Sequence, residues 1–279
     1  MKFTKMQGAG NDYIYINCLK EQVEDPAALA VRVSDRHFGI GADGLVLICP
    51  SAVADFKMRI FNADGSEAKM CGNATRCVAK YVHDNGLTAK NPVTLETLSG
   101  VKTIQVAFTD GKVTSARVDM GAPILSPARI PVDLPGETVV AQPLRLPDGA
   151  CLTVTCVSMG NPHCVAFVED TANFPLEQTG PRVERHPCFP DRVNAEFVRL
   201  LDPLHIAMRV WERGSGETLA CGTGACASVA ACILNGYCAK DTDVTVTLRG
   251  GELLIRWDSV RDTIYMTGPA EVVCTGEIF

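Results

Sequence analysis

Met58-Arg59-Ile60-Phe61 stands 150 residues ahead of Met208-Arg209-Val210-Trp211, and the same displacement sets Glu67 on Glu217 and Cys71-Gly72 on Cys221-Gly222. It also sets Asn85-Gly86 on Asn235-Gly236, Ala89-Lys90 on Ala239-Lys240, and Thr97-Leu98 with Gly100 on Thr247-Leu248 with Gly250. Positions 58–100 hold 12 such identities without a gap. Chance at average residue usage would give about three. Gly10-Asn11 falls on Gly160-Asn161 at the same offset. Self-similarity of this kind reads as a duplicated domain. One unit lies near 1–120 and the other near 151–265. The stretch between them carries Pro123, Pro127, Pro131, Pro135, Pro143 and Pro147 and reads as a crossover connection.

Each unit repeats one local grammar. The short apolar runs 58–61 and 206–211 read as strands. Glycine-rich turns follow, Asn62-Ala63-Asp64-Gly65-Ser66 and Arg213-Gly214-Ser215-Gly216. A helix then starts at each Cys-Gly and stops at Asn-Gly, because Gly86 and Gly236 suit a left-handed C-terminal cap. Strand-rich stretches come next, at 93–98, 103–108 and 113–120, matched by 244–248, 252–257 and 263–266. A second helix is expected over 26–38, with no clear counterpart at the same offset. The class is α+β.

The 279 residues carry a net charge of −6, which excludes the basic face of a nucleic-acid binder. Hydrophobic residues at 47% and charged residues at 21% are ordinary for a globular core. The first residues lack the apolar core of a signal peptide. The longest mostly apolar stretch, 225–234, is far short of the roughly 20 residues that span a bilayer. A cytoplasmic, membrane-free location follows as an expectation. Thirteen cysteines fit neither a small disulfide scaffold nor a zinc framework, since no Cys-x-x-Cys pair occurs.

Only Cys71 and Cys221 are repeat-equivalent cysteines at helix starts. A duplicated fold tends to pack its halves about a pseudo-twofold axis, and that would set the two across an interdomain cleft. At a helix N-terminus the partial positive charge stabilises a thiolate. The unpaired N–H groups of Gly72, Asn73, Gly222 and Thr223 could hold a carboxylate. Two thiols on opposite faces of one carbon could remove a proton from one side and return one to the other, inverting it. The plain alternative for any one cysteine is a small buried hydrophobe.

The segment from Phe61 through Asn73 (FNADGSEAKMCGN) resembles the first cysteine signature of the diaminopimelate epimerase family, and Trp211 through Cys226 (WERGSGETLACGTGAC) resembles the second. Gly8-Ala9-Gly10-Asn11-Asp12, Gly39-Ile40-Gly41-Ala42-Asp43-Gly44, Met159-Gly160-Asn161-Pro162-His163 and Val193-Asn194-Ala195-Glu196-Phe197 fall in family order. The resemblance implies a cofactor-independent, metal-free epimerase that interconverts LL- and meso-diaminopimelate, for lysine and peptidoglycan synthesis. It implies two pseudosymmetric lobes, each a barrel-like β-sheet around a central helix, with the active site in the cleft between them. The lobes would be 1–119, joined by a returning C-terminal strand at 265–279, and 120–264, including the crossover 120–150. Cys71 and Cys221 would be the catalytic bases, with His163 and Glu212 setting their acidity. Asn11, Asn62, Gly72, Asn73, Asn161, Asn194, Glu212, Arg213, Gly222 and Thr223 would bind the amino-acid substrate. A homodimer is implied as well.

The sequence departs from the family pattern at four places. Gly44 stands where glutamine is common, so that a substrate contact would be lost or supplied by water. Ala74-Thr75 and Ala195 differ from the usual residues, and Cys274 occupies the position of a tail tyrosine at a dimer contact. Besides a non-catalytic anion-binding module, two other readings remain open on residues alone. One is a same-fold racemase of another amino acid, such as histidine, which the set Asn62, Asn161, Asn194 and Arg213 disfavours. The other is a thiol redox protein, disfavoured by the absence of closely spaced cysteines.

Overall fold

The computed structural model describes residues 1–279. Two units emerge, Met1–Asp119 with Thr267–Phe279, and Met120–Met266. The first runs β1 (Lys2–Gly8), β2 (Asn11–Asn17), α1 (Pro26–Ser34), β3 (Gly44–Cys49), β4 (Phe56–Asn62), β5 (Glu67–Ala68), α2 (Gly72–Asp84), β6 (Val93–Thr97), β7 (Gly100–Thr109) and β8 (Lys112–Gly121). The second runs β9 (Gln142–Arg145), β10 (Cys151–Ser158), β11 (Pro162–Phe167), α3 (Leu176–Glu184), β12 (Asn194–Asp202), β13 (His205–Glu212), β14 (Gly216–Glu217), α4 (Gly222–Leu234), β15 (Val244–Leu248), β16 (Gly251–Asp258) and β17 (Thr263–Pro269). The last strand, β18 (Glu271–Glu277), pairs antiparallel with β1. The proline-rich crossover supplies β9, which pairs with β10.

The strands of the two units share a hydrogen-bonding plan. β2 lies parallel to β3 and β11 parallel to β12, with Ile14 opposite Leu45 and Cys164 opposite Ala195, an offset of 150 on both sides. β4 lies parallel to β6 and β13 to β15, while the hairpins between are antiparallel. Phe61 faces Glu67 as Trp211 faces Glu217. Beyond the long helices the offset becomes 151, for Thr97 pairs with Gly100 and Leu248 with Gly251. The loop before β15 is one residue longer than the loop before β6. The sequence identities of Thr97-Leu98 and Gly100 with Thr247-Leu248 and Gly250 are therefore not structural equivalences.

Helix α4 is buried almost throughout and touches β10, β11, β12, β13, β15 and β16. Its Gly, Ala, Ser and Cys side chains let the sheet wrap closely around it, as expected of a helix apolar on all sides. Helix α2 packs on β1, β2 and β7 and buries two cationic side chains. Lys80 reaches Val113 O and Asp84, and Arg76 Nε donates to Pro269 O. Both helices end as expected: Gly86 and Gly236 take φ of 65° and 76°, and their N–H groups bond back to His83 O and Ile233 O.

Two helix expectations need correction. The first helix stops at Ser34 rather than at 38, because Asp35 turns its carboxylate onto the His37 and Phe38 N–H groups, at 2.7 Å each. It also has a counterpart: α3 spans the same nine residues displaced by 150. The two share only Arg-Val, with Val33 and Val183 both buried. Gly180 and Pro181 hide α3 from a propensity reading. A Cβ at Gly180 would come within 2.5 Å of the Trp211 ring, so close helix–sheet packing requires glycine there.

Candidate active site

Cys71 is the N-cap of α2 and Cys221 the N-cap of α4, both in extended backbone that releases the chain into the helix. Their carbonyls accept the first helical bonds, from Thr75 N and Ala225 N, each at 2.9 Å. Each thiol therefore stands where the helix presents N–H groups and partial positive charge.

In the first unit the Cys71 thiol donates to Asn11 Oδ1 at 3.3 Å, and Asn73 Nδ2 lies 3.5 Å from the same oxygen. Asn11 is held by donating to Asp43 Oδ2 at 2.6 Å. Tyr13 lies beside this cluster with its hydroxyl near Asn11 and Cys71. Burial first, and the charges of Cys71 and Asp43 next, raise the Tyr13 hydroxyl well above the ordinary tyrosine range, so it remains a neutral donor. Asn62 stands apart on its turn, donating to Ser66 Oγ at 3.0 Å.

In the second unit the Cys221 sulfur accepts from Gly224 N at 3.4 Å and lies 3.5 Å from Thr223 Oγ1. Asn161 donates to Thr223 Oγ1 at 3.3 Å and lies 3.1 Å from His163 Nε2. His163 Nδ1 lies 2.7 Å from Glu196 Oε1, and both side chains are fully buried. Glu212 accepts from the Thr218 hydroxyl at 2.5 Å. Burial above all, then the charges of Glu212 and Glu196, push the Cys221 thiol well above its usual value, against the pull of Thr223 and Gly224 N. Asn194 Oδ1 accepts from Arg213 N at 2.8 Å, and the Arg213 guanidinium donates to Asp191 O at 2.9 Å.

Most of the expected residues thus gather into two clusters, one in each unit: Cys71 with Asn11 and Asn73, and Cys221 with Thr223, Asn161 and His163. Gly72 and Gly222 open the two helices. Sequence reasoning assigned nothing to Tyr13, Asp43, Glu196 or Thr218. For Tyr13 a signal was present, since at an offset of 150 it overlies His163. At Gly44 the backbone packing accounts for the missing side chain. A Cβ there would meet Phe61 O at 2.1 Å, so the close approach of β3 and β4 leaves no room for a side chain.

The sequence profile of the family described as diaminopimelate epimerase matches residues 3–126 and 155–273. A diaminopimelate epimerase of Acetivibrio thermocellus is 57% identical over 278 residues, spanning 100% of this chain and 98% of its own. One from Methanococcus maripaludis is 53% identical, with 100% and 99% covered, and one from Bacillus anthracis 51%, with 98% and 96% covered. Among solved structures, a probable proline racemase from Agrobacterium radiobacter superposes with a TM-score of 0.73 at 16% identity, over 100% of this chain and 92% of its own. A hydroxyproline epimerase from Agrobacterium vitis superposes at 0.70 and 15%, over 100% and 90%. These distant structures share the fold. Two cysteine signatures repeated on one fold, with relatives above half identity along the whole length, place this chain in the diaminopimelate epimerase family.

Proposed function

We propose that the protein is a cofactor-independent isomerase that interconverts LL- and meso-diaminopimelate by two-base proton transfer between Cys71 and Cys221. The observation that carries this reading is that both cysteines cap repeat-equivalent helices, each inside its own cluster of polar side chains. The functional lobes are assigned as 1–119 with 265–279, and 120–264.

Cys221 is protonated at rest, since burial and two carboxylates disfavour its thiolate. In the LL-to-meso direction the proposed base is Cys71, acting once the thiol proton that it shares with Asn11 Oδ1 has been lost. Its thiolate takes the α-proton, an S–H bond forms, and the C–H electron pair passes into the α-carboxylate. First-turn N–H groups at Gly72, Asn73, Gly222 and Thr223 hold that carboxylate and stabilise its growing charge. Cys221 delivers its proton to the opposite face, leaving a thiolate, and the configuration is inverted. His163 and Glu212 set the acidity of the thiols. Asn11, Asn62, Asn161, Asn194, Glu212 and Arg213 bind the amino and carboxylate groups, with the guanidinium suited to a bidentate carboxylate contact. The product serves lysine and peptidoglycan synthesis in the cytoplasm, and the enzyme works as a homodimer.

The test is α-proton exchange of each diaminopimelate stereoisomer in deuterated water. Serine at Cys71 or Cys221 should lower turnover by about 10²–10⁴-fold, the range of a lost general acid or base. No exchange by the unaltered protein on LL-diaminopimelate, with exchange on another amino acid, would replace the substrate.

A further inference from the structure

A line of hydrogen bonds in the second unit runs from a buried carboxyl to the Cys221 sulfur. Glu196 Oε1 is 2.7 Å from His163 Nδ1, His163 Nε2 is 3.1 Å from Asn161 Oδ1, Asn161 Nδ2 is 3.3 Å from Thr223 Oγ1, and Thr223 Oγ1 is 3.5 Å from Cys221 Sγ. Glu196 and His163 are both 0% exposed, and the second Glu196 oxygen has no hydrogen-bond partner. Such a carboxyl is costly to bury and calls for a role.

The chemistry of the donors gives the line a direction. Asn161 gives its amide N–H to Thr223, so its Oδ1 accepts and Nε2 of His163 must carry a hydrogen. Nδ1 then shares one further proton with Glu196, as carboxyl and imidazole or as carboxylate and imidazolium. Either form makes the pair neutral overall, which burial favours. Thr223 Oγ1 already accepts from Asn161, so its own hydrogen is left for the Cys221 sulfur.

The groups around that sulfur are Glu196 on β12, Glu212 on β13 and Gly224 N on α4, with Thr223 on the same turn. The first unit is built differently. Tyr13 and Val46 overlie His163 and Glu196 at the 150-residue offset, and Cys71 donates to its asparagine directly.

We propose that Glu196 is a positioning residue: it keeps Nε2 of His163 protonated, and so aims the Asn161–Thr223 hydrogen bonds at Cys221, where they stabilise the thiolate left after proton delivery. This rests on the reading of Cys221 as a proton-transfer residue. It explains how a thiol held in its neutral form can still release a proton during turnover.

The experiment is the rate of iodoacetamide alkylation of Cys221 in the whole protein, followed by mass spectrometry from neutral to alkaline pH. Thr223→Val should slow it about tenfold, the worth of one hydrogen bond to a charged group, while Thr223→Ser keeps the rate. Glu196→Leu should slow it to the same degree. Glu196→Gln should restore most of it, because its amide can donate to Nδ1 and leave Nε2 protonated. Glu196→Leu combined with Thr223→Val should be no slower than Thr223→Val alone, the mark of a shared path. Additive slowing, a glutamine variant as slow as leucine, or faster alkylation in the leucine variant would each overturn the proposal. The last two outcomes would indicate a structural role and a direct charge effect. Exchange on diaminopimelate is measured alongside. If the unaltered protein does not exchange while the alkylation pattern holds, the substrate reading falls and the relay stands; the opposite pattern removes the relay alone.

Discussion

At Gly224 a single hydrogen atom separates the cluster around Cys221 from steric failure. A Cβ there would lie 2.7 Å from Glu196 Oε1 and 3.3 Å from the Cys221 sulfur. Gly224→Ala is expected to displace both groups, lowering stability by about 1–3 kcal/mol as overpacking does. Because the displaced groups include the thiol proposed to transfer the proton, kcat should fall by about tenfold or more. Thermal melting and steady-state turnover would check the two effects separately. Gly44 is constrained in the same manner by Phe61 O. Installing the glutamine common in the family should therefore destabilise the protein rather than improve substrate contact, with the melting temperature as the measure.

At the scale of the element, α3 shows how tertiary packing overrides local preference. Helix α3 contains Pro181 and the glycine pressed on Trp211, yet it forms, because Leu176 and Val183 are buried beneath it. Gly180→Ala would raise intrinsic helix propensity by about 1 kcal/mol. It should nevertheless lower the unfolding free energy, since the methyl would overlap the indole; chemical denaturation reads the sign directly. Near β4, Asp55 accepts from Lys90 Nζ and from Thr94 N and Oγ1. These bonds, the Lys90 one foremost, hold its carboxyl down at about 2. An unfolded aspartate titrates near 3.9. The stabilisation from Asp55 is therefore complete above that value and is lost as pH falls towards 2. Asp55→Asn should flatten the acid limb of a urea-midpoint profile over that window while changing the profile's shape little at neutral pH.

For the molecule as a whole, the order of strands matters more than the identity of any one. The strand after β8 in the chain pairs with β10 of the second unit, and the strand after β17 pairs with β1 of the first. Removing residues 271–279 would leave β1 with an open edge and strip Met1 of its bond to Ile278 O. The first unit should lose cooperativity and melt lower by more than about 5 °C, the shift that accompanies roughly 1–3 kcal/mol in a domain of this size. Calorimetry resolving two transitions would establish this. A single unchanged transition would show that β18 contributes little.

By itself the sequence determined the duplication, the start and stop of both long helices, and the placing of one cysteine at each start. These are local matters of glycine backbone freedom, cap chemistry and repeated motif, and each can be read within a few residues. The Cys71 and Cys221 neighbourhoods were legible for the same reason, with Asn11 and Asn161 marked by their shared offset. Tertiary structure alone decided that α1 has a partner in α3, that the second repeat slips to 151 after the helices, and that Gly44 admits no side chain. It alone set Tyr13 beside Cys71 and Glu196 behind His163. Those outcomes depend on distances between segments far apart in the chain, set by sheet pairing and close packing, and no pattern within one segment carries them.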